Sequence, residues 1–141
     1  MADERPKVTL ETDITLPGMR WVRGMVATFD AGNQPGRWEG ISGGDGVLVL
    51  PFTSTGKVVL VRQYRFLIGE FSFELPGGAP NQGEEEVVTG TRELLEETGY
   101  RAETISNLGR VALWNGKSNA RATLLLAERC IKVQEPVLDS V

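Results

Sequence analysis

The segment GGAPNQGEEEVVTGTRELLEETGY, residues 77–100, decides the fold and raises the question of what its acidic side chains do. It holds six glutamates between two glycine turns, out of 19 acidic residues in a chain of 141. Its central part predicts one helix at about 83–98 that ends at Gly99, the position of a C-terminal glycine cap. The glutamates could form a solvated helix face or a site for metal ions.

The angular spacing of a helix separates the apolar residues of this segment from the acidic ones, at about 100° per residue. The acidic side comprises Glu86, Glu93, Glu96 and Glu97. The opposite side, which we expect to pack on a sheet, comprises Val87, Val88, Thr91, Leu94 and Leu95. Like charges one turn apart destabilise a helix, and anions near its C-terminal end are disfavoured. Because hard divalent cations would offset both penalties, the pattern favours a metal site over a solvated face.

The composition limits the classes of function. A hydrophobic content of 40% and a net charge of −4 are typical of one globular domain and give no electrostatic reason for nucleic-acid or membrane binding. The chain has no histidine, so acid–base chemistry and metal binding must depend on carboxylates. Cys130 is the single cysteine, which predicts a buried core residue and a cytoplasmic protein. No apolar run approaches the ~18 residues of a membrane span, so we expect a soluble, unexported protein.

Alternating and β-branched runs predict many strands around the one helix, and therefore an α+β domain with a mixed sheet. The predicted strands lie at 8–16, 19–30, 46–52, 57–64, 70–78, 107–114 and 121–127. The first part, 1–42, is expected to form a β-rich arm, and 43–141 a second domain. The chain ends in CIKVQEPVLDSV, within a predicted loop, so either the protein is naturally short or its last elements are missing.

The defined residues of the acidic segment resemble the Nudix box, Gly-x5-Glu-x7-Arg-Glu-U-x-Glu-Glu-x-Gly-U, in which U is bulky and apolar. Gly78 opens the match, Glu84 follows, and the run from Arg92 to Tyr100 supplies the rest. Tyr100 is aromatic where an aliphatic residue is commoner. The resemblance implies the Nudix α/β/α sandwich with a mixed sheet, preceded here by the N-terminal β-rich arm. It also implies hydrolysis of a nucleoside diphosphate linked to another moiety.

The resemblance implies roles for the acidic residues. Glu93 and Glu97 would bind Mg²⁺, or Mn²⁺ as the alternative, and Glu96 would bind the metal directly or through water. The carbonyl of Gly77 would be a further ligand. Glu96 and Glu97 are therefore the predicted catalytic carboxylates, and the general base is not identified. A metal is needed because a diphosphate repels an anionic nucleophile until its oxygens are neutralised.

Other residues of the segment are given structural or solvent-facing roles. Glu84 and Arg92 are implied to be structural, with Arg92 keeping the carboxylates oriented. Glu85 and Glu86 match no defined position and are predicted to be solvated. Gly90 stands where the family has alanine, and we expect it to reduce helix stability.

Sequence outside the box indicates the substrate. The stretch VRQYRFLIGEFSFELPGG, residues 61–78, resembles the ADP-ribose pyrophosphatase branch. Arg65 matches the phosphate-binding arginine of that branch, or is a surface arginine at a strand end; Glu74 would orient the turn or touch substrate. Trp21 and Trp38 match tryptophans that stack on adenine in an N-terminal arm exchanged across a homodimer, or they serve in core or interface packing.

Two departures from that branch concern the substrate and the base. Its Ser-Pro-Gly turn reads Trp114-Asn115-Gly116 here, and its catalytic glutamate would fall beyond Val141 by spacing. The leading hypothesis is Mg²⁺-dependent hydrolysis of ADP-ribose to AMP and ribose 5-phosphate. The alternatives are another Nudix substrate, such as a GDP-sugar or a dinucleoside polyphosphate, and a non-catalytic domain that binds ADP-ribose. An acidic structural helix in an interaction module is a third hypothesis.

Overall fold

The computed structural model describes residues 7–19, 22–30 and 34–137, and these residues contain ten strands and one helix. The strands are β1 (Lys7–Thr15), β2 (Arg23–Asp30), β3 (Pro35–Ser42), β4 (Asp45–Thr53), β5 (Val61–Arg65), β6 (Glu70–Glu74), β7 (Gly77–Gly78), β8 (Tyr100–Arg101), β9 (Thr104–Ala112) and β10 (Arg121–Lys132), and the helix is α1 (Glu86–Thr98). They divide into two compact units, the first within Met1–Gly44 and Ala112–Arg121, the second within Asp45–Val111 and Ala122–Val141.

The first unit is built on a three-stranded antiparallel sheet in the order β1-β2-β3. The register of β1 against β2 shifts between Glu11 and Ile14, where Asp13 has a φ of 61°. The segment Ala112–Arg121 belongs to the same unit, and the Ile41 amide donates a hydrogen bond to the Lys117 carbonyl at 2.7 Å.

The second unit holds the helix and the core. Its main sheet has the strand order β7-β4-β10-β8, with β9 paired to β10, and β5 and β6 form a separate antiparallel pair. Helix α1 contacts β4, β7 and β8. The core consists of Val47, Val49, Leu94, Leu125, Ala127 and Cys130. The predicted burial of Cys130 is confirmed, and this burial raises the pKa of its thiol. The predicted α+β class is confirmed, with one helix on the sheet among the described residues.

Helix α1 ends as the sequence predicted. Gly99 has a left-handed φ of 74°, and its amide donates to the Leu95 carbonyl at 2.9 Å. No helix in the part of the chain that the structure describes is long and apolar enough to cross a membrane.

The buried side of α1 differs from the predicted apolar side. The buried residues of the helix are Thr89, Gly90, Leu94 and Thr98. Val87 and Val88 are 41% and 53% exposed and Thr91 is also exposed, so their predicted packing was wrong. A Cβ at Gly90 would overlap Leu125 and lie 3.1 Å from Val49 Cγ2. The helix is therefore closest to the sheet at its glycine, and the contact face centres on small residues there.

Candidate active site

Arg92 connects three glutamates of the acidic segment. Its Nε and Nη2 each donate to Glu84 at 3.0 Å, and its Nη1 donates to Glu93 at 2.8 Å and to Glu96 at 3.0 Å. A guanidinium is planar and permanently charged, so it can orient several carboxylates at once. This is the structural role that the resemblance implied for Arg92.

Glu84 joins the loop before α1 to the helix. Besides Arg92, it accepts hydrogen bonds from the Asn81 amide at 2.9 Å and from the Thr89 hydroxyl at 3.1 Å. The hydrogen bond from Arg92, followed by that from the Asn81 backbone, lowers the pKa of Glu84 from 4.5 to about 2. Glu84 is thus an ionised support at the start of the helix.

Glu93 and Glu97 lie against the two glycines that precede α1. The Gly77 amide donates to Glu97 Oε2 at 2.9 Å, and a Cβ at Gly78 would overlap the Glu93 carboxylate. Burial raises the pKa of Glu97; the Gly77 hydrogen bond opposes this, and the negative charge of Glu93 adds to it. The lack of a side chain at Gly78 leaves room for the Glu93 carboxylate, whereas a Cβ at Gly77 would overlap the Val47 carbonyl of the neighbouring strand β4. Gly77 meets Glu97 through its N–H group, and metal binding by its carbonyl stays a prediction.

The three glutamates of the predicted metal site match the chemistry of a hard divalent cation. One carboxylate oxygen of each glutamate accepts a hydrogen bond. Arg92 donates to Glu93 Oε1 and to Glu96 Oε2, and the Gly77 amide donates to Glu97 Oε2. The second oxygen of each has no protein hydrogen-bond donor within residues 7–19, 22–30 and 34–137. Mg²⁺ and Mn²⁺ prefer such carboxylate oxygens. Within those ranges no three acidic side chains already converge as a closed metal cluster, so binding would draw these oxygens together.

The same three glutamates line one cavity of about 600 Å³, which falls in the size range of small-molecule sites. The other lining residues are Val59, Leu60, Val61, Arg62, Gln63, Thr98, Tyr100, Pro136 and Val137. The cavity therefore combines an acidic side from α1 with a largely apolar wall. Such a space suits a ligand that has both charged and uncharged parts.

Arg65, the predicted phosphate-binding residue, is held by Glu74. Its Nε donates to Glu74 Oε1 at 2.8 Å, and its Nη2 donates to Glu74 Oε2. Gln63, which lines the cavity, also donates to Glu74 Oε2 at 3.3 Å. Arg65 lies close enough to Glu97 to lower its pKa, although less strongly than the Gly77 hydrogen bond does. The sequence did not reveal this pair, because the strand register places Arg65 opposite Glu70.

Trp38, the described member of the predicted tryptophan pair, lies in the first unit. Its indole Nε1 donates to the Gly116 carbonyl at 2.8 Å, and the side chain is largely exposed. It lines a cavity of about 370 Å³ within that unit, together with Leu10, Met25, Ala27, Gly40, Ala112, Asn115, Ser118, Asn119 and Arg121. Trp21 lies outside the described residues. The structure therefore places Trp38, but not Trp21, beside the turn that departs from the branch pattern.

Glu86 has a role that the sequence did not indicate. It accepts hydrogen bonds from the Thr123 hydroxyl at 2.6 Å and from the Asn107 side chain at 3.4 Å. The prediction that Glu86 is simply solvated was therefore wrong, whereas Glu85 is exposed as predicted. The partners of Glu86 come from β9 and β10, so no pattern within the helix could have found them.

Comparisons with known proteins identify the family of the chain. A family profile described as "NUDIX domain" matches residues 43–131. "ADP-ribose pyrophosphatase" of Bacillus subtilis (strain 168) is 34% identical over 89 residues, which cover 63% of this chain and 48% of that protein. "ADP-sugar pyrophosphatase" of Mus musculus is 39% identical over 62 residues, covering 44% of this chain and 28% of that protein. The chain thus spans about half, or less, of the length of these curated relatives.

A solved structure shows the same fold. "Crystal structure of ADP compounds hydrolase" superimposes with a TM-score of 0.74 at 16% sequence identity, covering 94% of this chain and 72% of that one. The matched family region contains α1, its supporting arginine and the three cavity-lining glutamates. Because the family match extends over more than half of the residues, the chain belongs to the NUDIX domain family.

Proposed function

We propose that the chain hydrolyses the diphosphate bond of a nucleoside diphosphate sugar with Mg²⁺ as cofactor, and that ADP-ribose is its substrate. The observation that carries this proposal is the cavity in which Glu93, Glu96 and Glu97 each keep one oxygen free of protein donors. The names of the relatives, an ADP-ribose pyrophosphatase and an ADP-sugar pyrophosphatase, support the choice of substrate.

The residues of the proposed site have two roles: some would hold the cation, and others restrain those ligands. Mg²⁺, with Mn²⁺ as the alternative, would be held by the three glutamates and the Gly77 carbonyl, and would neutralise the diphosphate and activate water. Arg92 restrains one oxygen of Glu93 and one of Glu96, and the Gly77 amide restrains one oxygen of Glu97. Such restraint limits how far the carboxylates must move when a cation draws their free oxygens together.

The bond changes follow from the products. Water adds to one phosphorus of the diphosphate, the bond from that phosphorus to the bridging oxygen breaks, and the bridging oxygen leaves with the other phosphate. From ADP-ribose the products are AMP and ribose 5-phosphate. Arg65 is proposed to bind a phosphate oxygen, because a guanidinium offers donors in the geometry that phosphate accepts.

The first unit is proposed to bind the base and to form a homodimer. Trp38, largely exposed and anchored through its indole nitrogen, offers a flat surface for adenine, and Trp21 is proposed as the second stacking residue. The homodimer would form through the arm at 1–42, so light scattering should give twice the chain mass of 15.4 kDa. A monomeric mass at all concentrations would overturn the dimer.

The single cysteine, Cys130, is unpaired and buried, which supports a reducing cytoplasmic setting.

A substrate panel tests the proposed activity. The chain is incubated with Mg²⁺ and ADP-ribose, a GDP-sugar or a dinucleoside polyphosphate, and the products are separated and quantified. We expect the highest kcat/KM for ADP-ribose, with AMP and ribose 5-phosphate in equal amounts. A higher value for another member would reassign the substrate within the family. ADP-ribose binding in calorimetry without any turnover would indicate a binding domain and would overturn the enzymatic proposal.

A further inference from the structure

The β5–β6 hairpin carries an arginine on each side: Arg62 stacks on the Phe71 ring at 3.6 Å, and Arg65 pairs with Glu74. Tyr64 and Phe71 face each other on one side of the hairpin, with ring centroids 5.3 Å apart. Arg65 and Glu74 instead form a two-point ion pair, joined by Gln63. The hairpin therefore fixes a cation beside the cavity through side-chain contacts of its own.

The chemistry of this pair leaves one edge of the guanidinium open. An arginine side chain has five N–H donors in a rigid planar fork. Glu74 accepts from Nε and from Nη2, so both N–H groups of Nη1 and one of Nη2 stay available. Half of the Arg65 side chain is exposed, so a phosphate could reach that edge. The hydrogen bond from Gln63 to Glu74 further restricts the carboxylate that holds the fork.

The charges around Glu97 show why such restraint matters. Gln63, which donates to Glu74, lines the same cavity as Glu97, so the Arg65–Glu74 pair lies beside the predicted metal site. An unrestrained guanidinium would be attracted to the free oxygen of Glu97, where it would compete with a divalent cation. Pairing with Glu74 offsets that attraction. It keeps the Arg65 guanidinium apart from the divalent cation, the other positive group that would contact the substrate.

We propose that Glu74 is a positioning residue that holds Arg65 with its Nη1 edge open to the diphosphate and away from the carboxylates. This inference rests on the proposed function, because it assigns Arg65 to that substrate. Glu74 itself does not touch the reacting atoms. Its removal should therefore affect substrate affinity and Mg²⁺ requirement more than the rate at saturation.

The test compares Glu74→Gln with Glu70→Gln, a matched control on the same strand and opposite Arg65 in the register. We expect E74Q to raise KM for ADP-ribose about tenfold with kcat changed less than about threefold, and to raise the Mg²⁺ concentration for half-maximal rate. E70Q should change none of these. In the Arg65→Ala background, E74Q should have no further effect on KM, because the residue to be positioned is gone. An unchanged KM in E74Q, or an equal effect in both backgrounds, would overturn the inference.

A spectroscopic readout keeps the inference separate from the activity. The Nε–H resonance of Arg65, followed by nitrogen-15 NMR without substrate, should be protected from exchange in the wild type and in E70Q and should lose that protection in E74Q. A signal unaffected by E74Q would overturn the positioning role even if the enzyme is active. A wild type that hydrolyses no member of the substrate panel would instead overturn the proposed function, whatever the Arg65 signal shows.

Discussion

At the scale of single residues, Arg92 explains how so many glutamates can share one helix. Its guanidinium donates to Glu84, Glu93 and Glu96, so the repulsion between like charges is partly offset before any cation binds. Glu97 is not held by Arg92 and depends on the Gly77 amide instead. The four carboxylates therefore have different roles: one supports the helix start, and three present free oxygens to the cavity.

Glu84 should make the free energy of unfolding depend on pH in the acid range. Its folded-state pKa is lowered from 4.5 to about 2, chiefly by Arg92, so ionised Glu84 stabilises the fold above pH 4.5. That contribution is lost as the pH falls from 4.5 through about 2. We expect Glu84→Gln to have a lower free energy of unfolding than wild type at pH 7. Below pH 4.5, the free energy of unfolding should fall less in this variant than in wild type. Urea unfolding at several pH values measures both, and parallel pH dependences for E84Q and wild type would contradict the prediction.

Glu97 should contribute directly to cation affinity. Glu97→Gln removes the charge of a partly buried side chain that keeps one oxygen free, so Mn²⁺ should bind more than about tenfold more weakly. Free Mn²⁺ can be measured by electron paramagnetic resonance. Glu85→Gln is the matched control, since Glu85 is exposed and lies just before the same helix. Equal Mn²⁺ affinity of E97Q and E85Q would remove Glu97 from the site.

At the scale of elements, the contact between α1 and the sheet depends on Gly90. Alanine would be the better helix former by ~1 kcal/mol, but its methyl group would overlap Leu125. We expect Gly90→Ala to lower the free energy of unfolding by about 1–2 kcal/mol, because overpacking outweighs helix propensity. Thr91→Ala, at the next and exposed position, should stay within about 0.5 kcal/mol of wild type. A G90A variant as stable as wild type in urea would contradict the close contact.

The sequence predicted the elements better than their packing. The helix and its cap at Gly99 were predictable, because capping and periodicity are local. The buried side was wrong at Val87 and Val88, because hydrophobicity cannot show that a glycine sets the closest approach to the sheet. Glu86 was misjudged for a similar reason, since its partner Thr123 is 37 residues away.

At the scale of the whole molecule, the fold class and the carboxylates of the site were accessible from sequence, whereas the site's surroundings were not. The spacing of the Nudix box identifies Glu93, Glu96 and Glu97 in the sequence, and in the structure all three line one cavity. The apolar wall and the Arg65–Glu74 pair arise from contacts between separate strands, which no single stretch encodes. For the same reason, the sequence could not show that Ala112–Arg121 joins the compact unit of the N-terminal strands.

The central claim is that these carboxylates bind a divalent cation that the chain needs to cleave a diphosphate. The most direct test is the rate of AMP release from ADP-ribose as Mg²⁺ is raised from zero, in EDTA-treated wild type and Glu97→Gln. We predict no release without Mg²⁺, saturation as Mg²⁺ increases, and a rate in E97Q more than about 100-fold lower, beyond the effect of losing an outer-shell partner. AMP release that is equally fast in EDTA, or unchanged in E97Q, would contradict the claim.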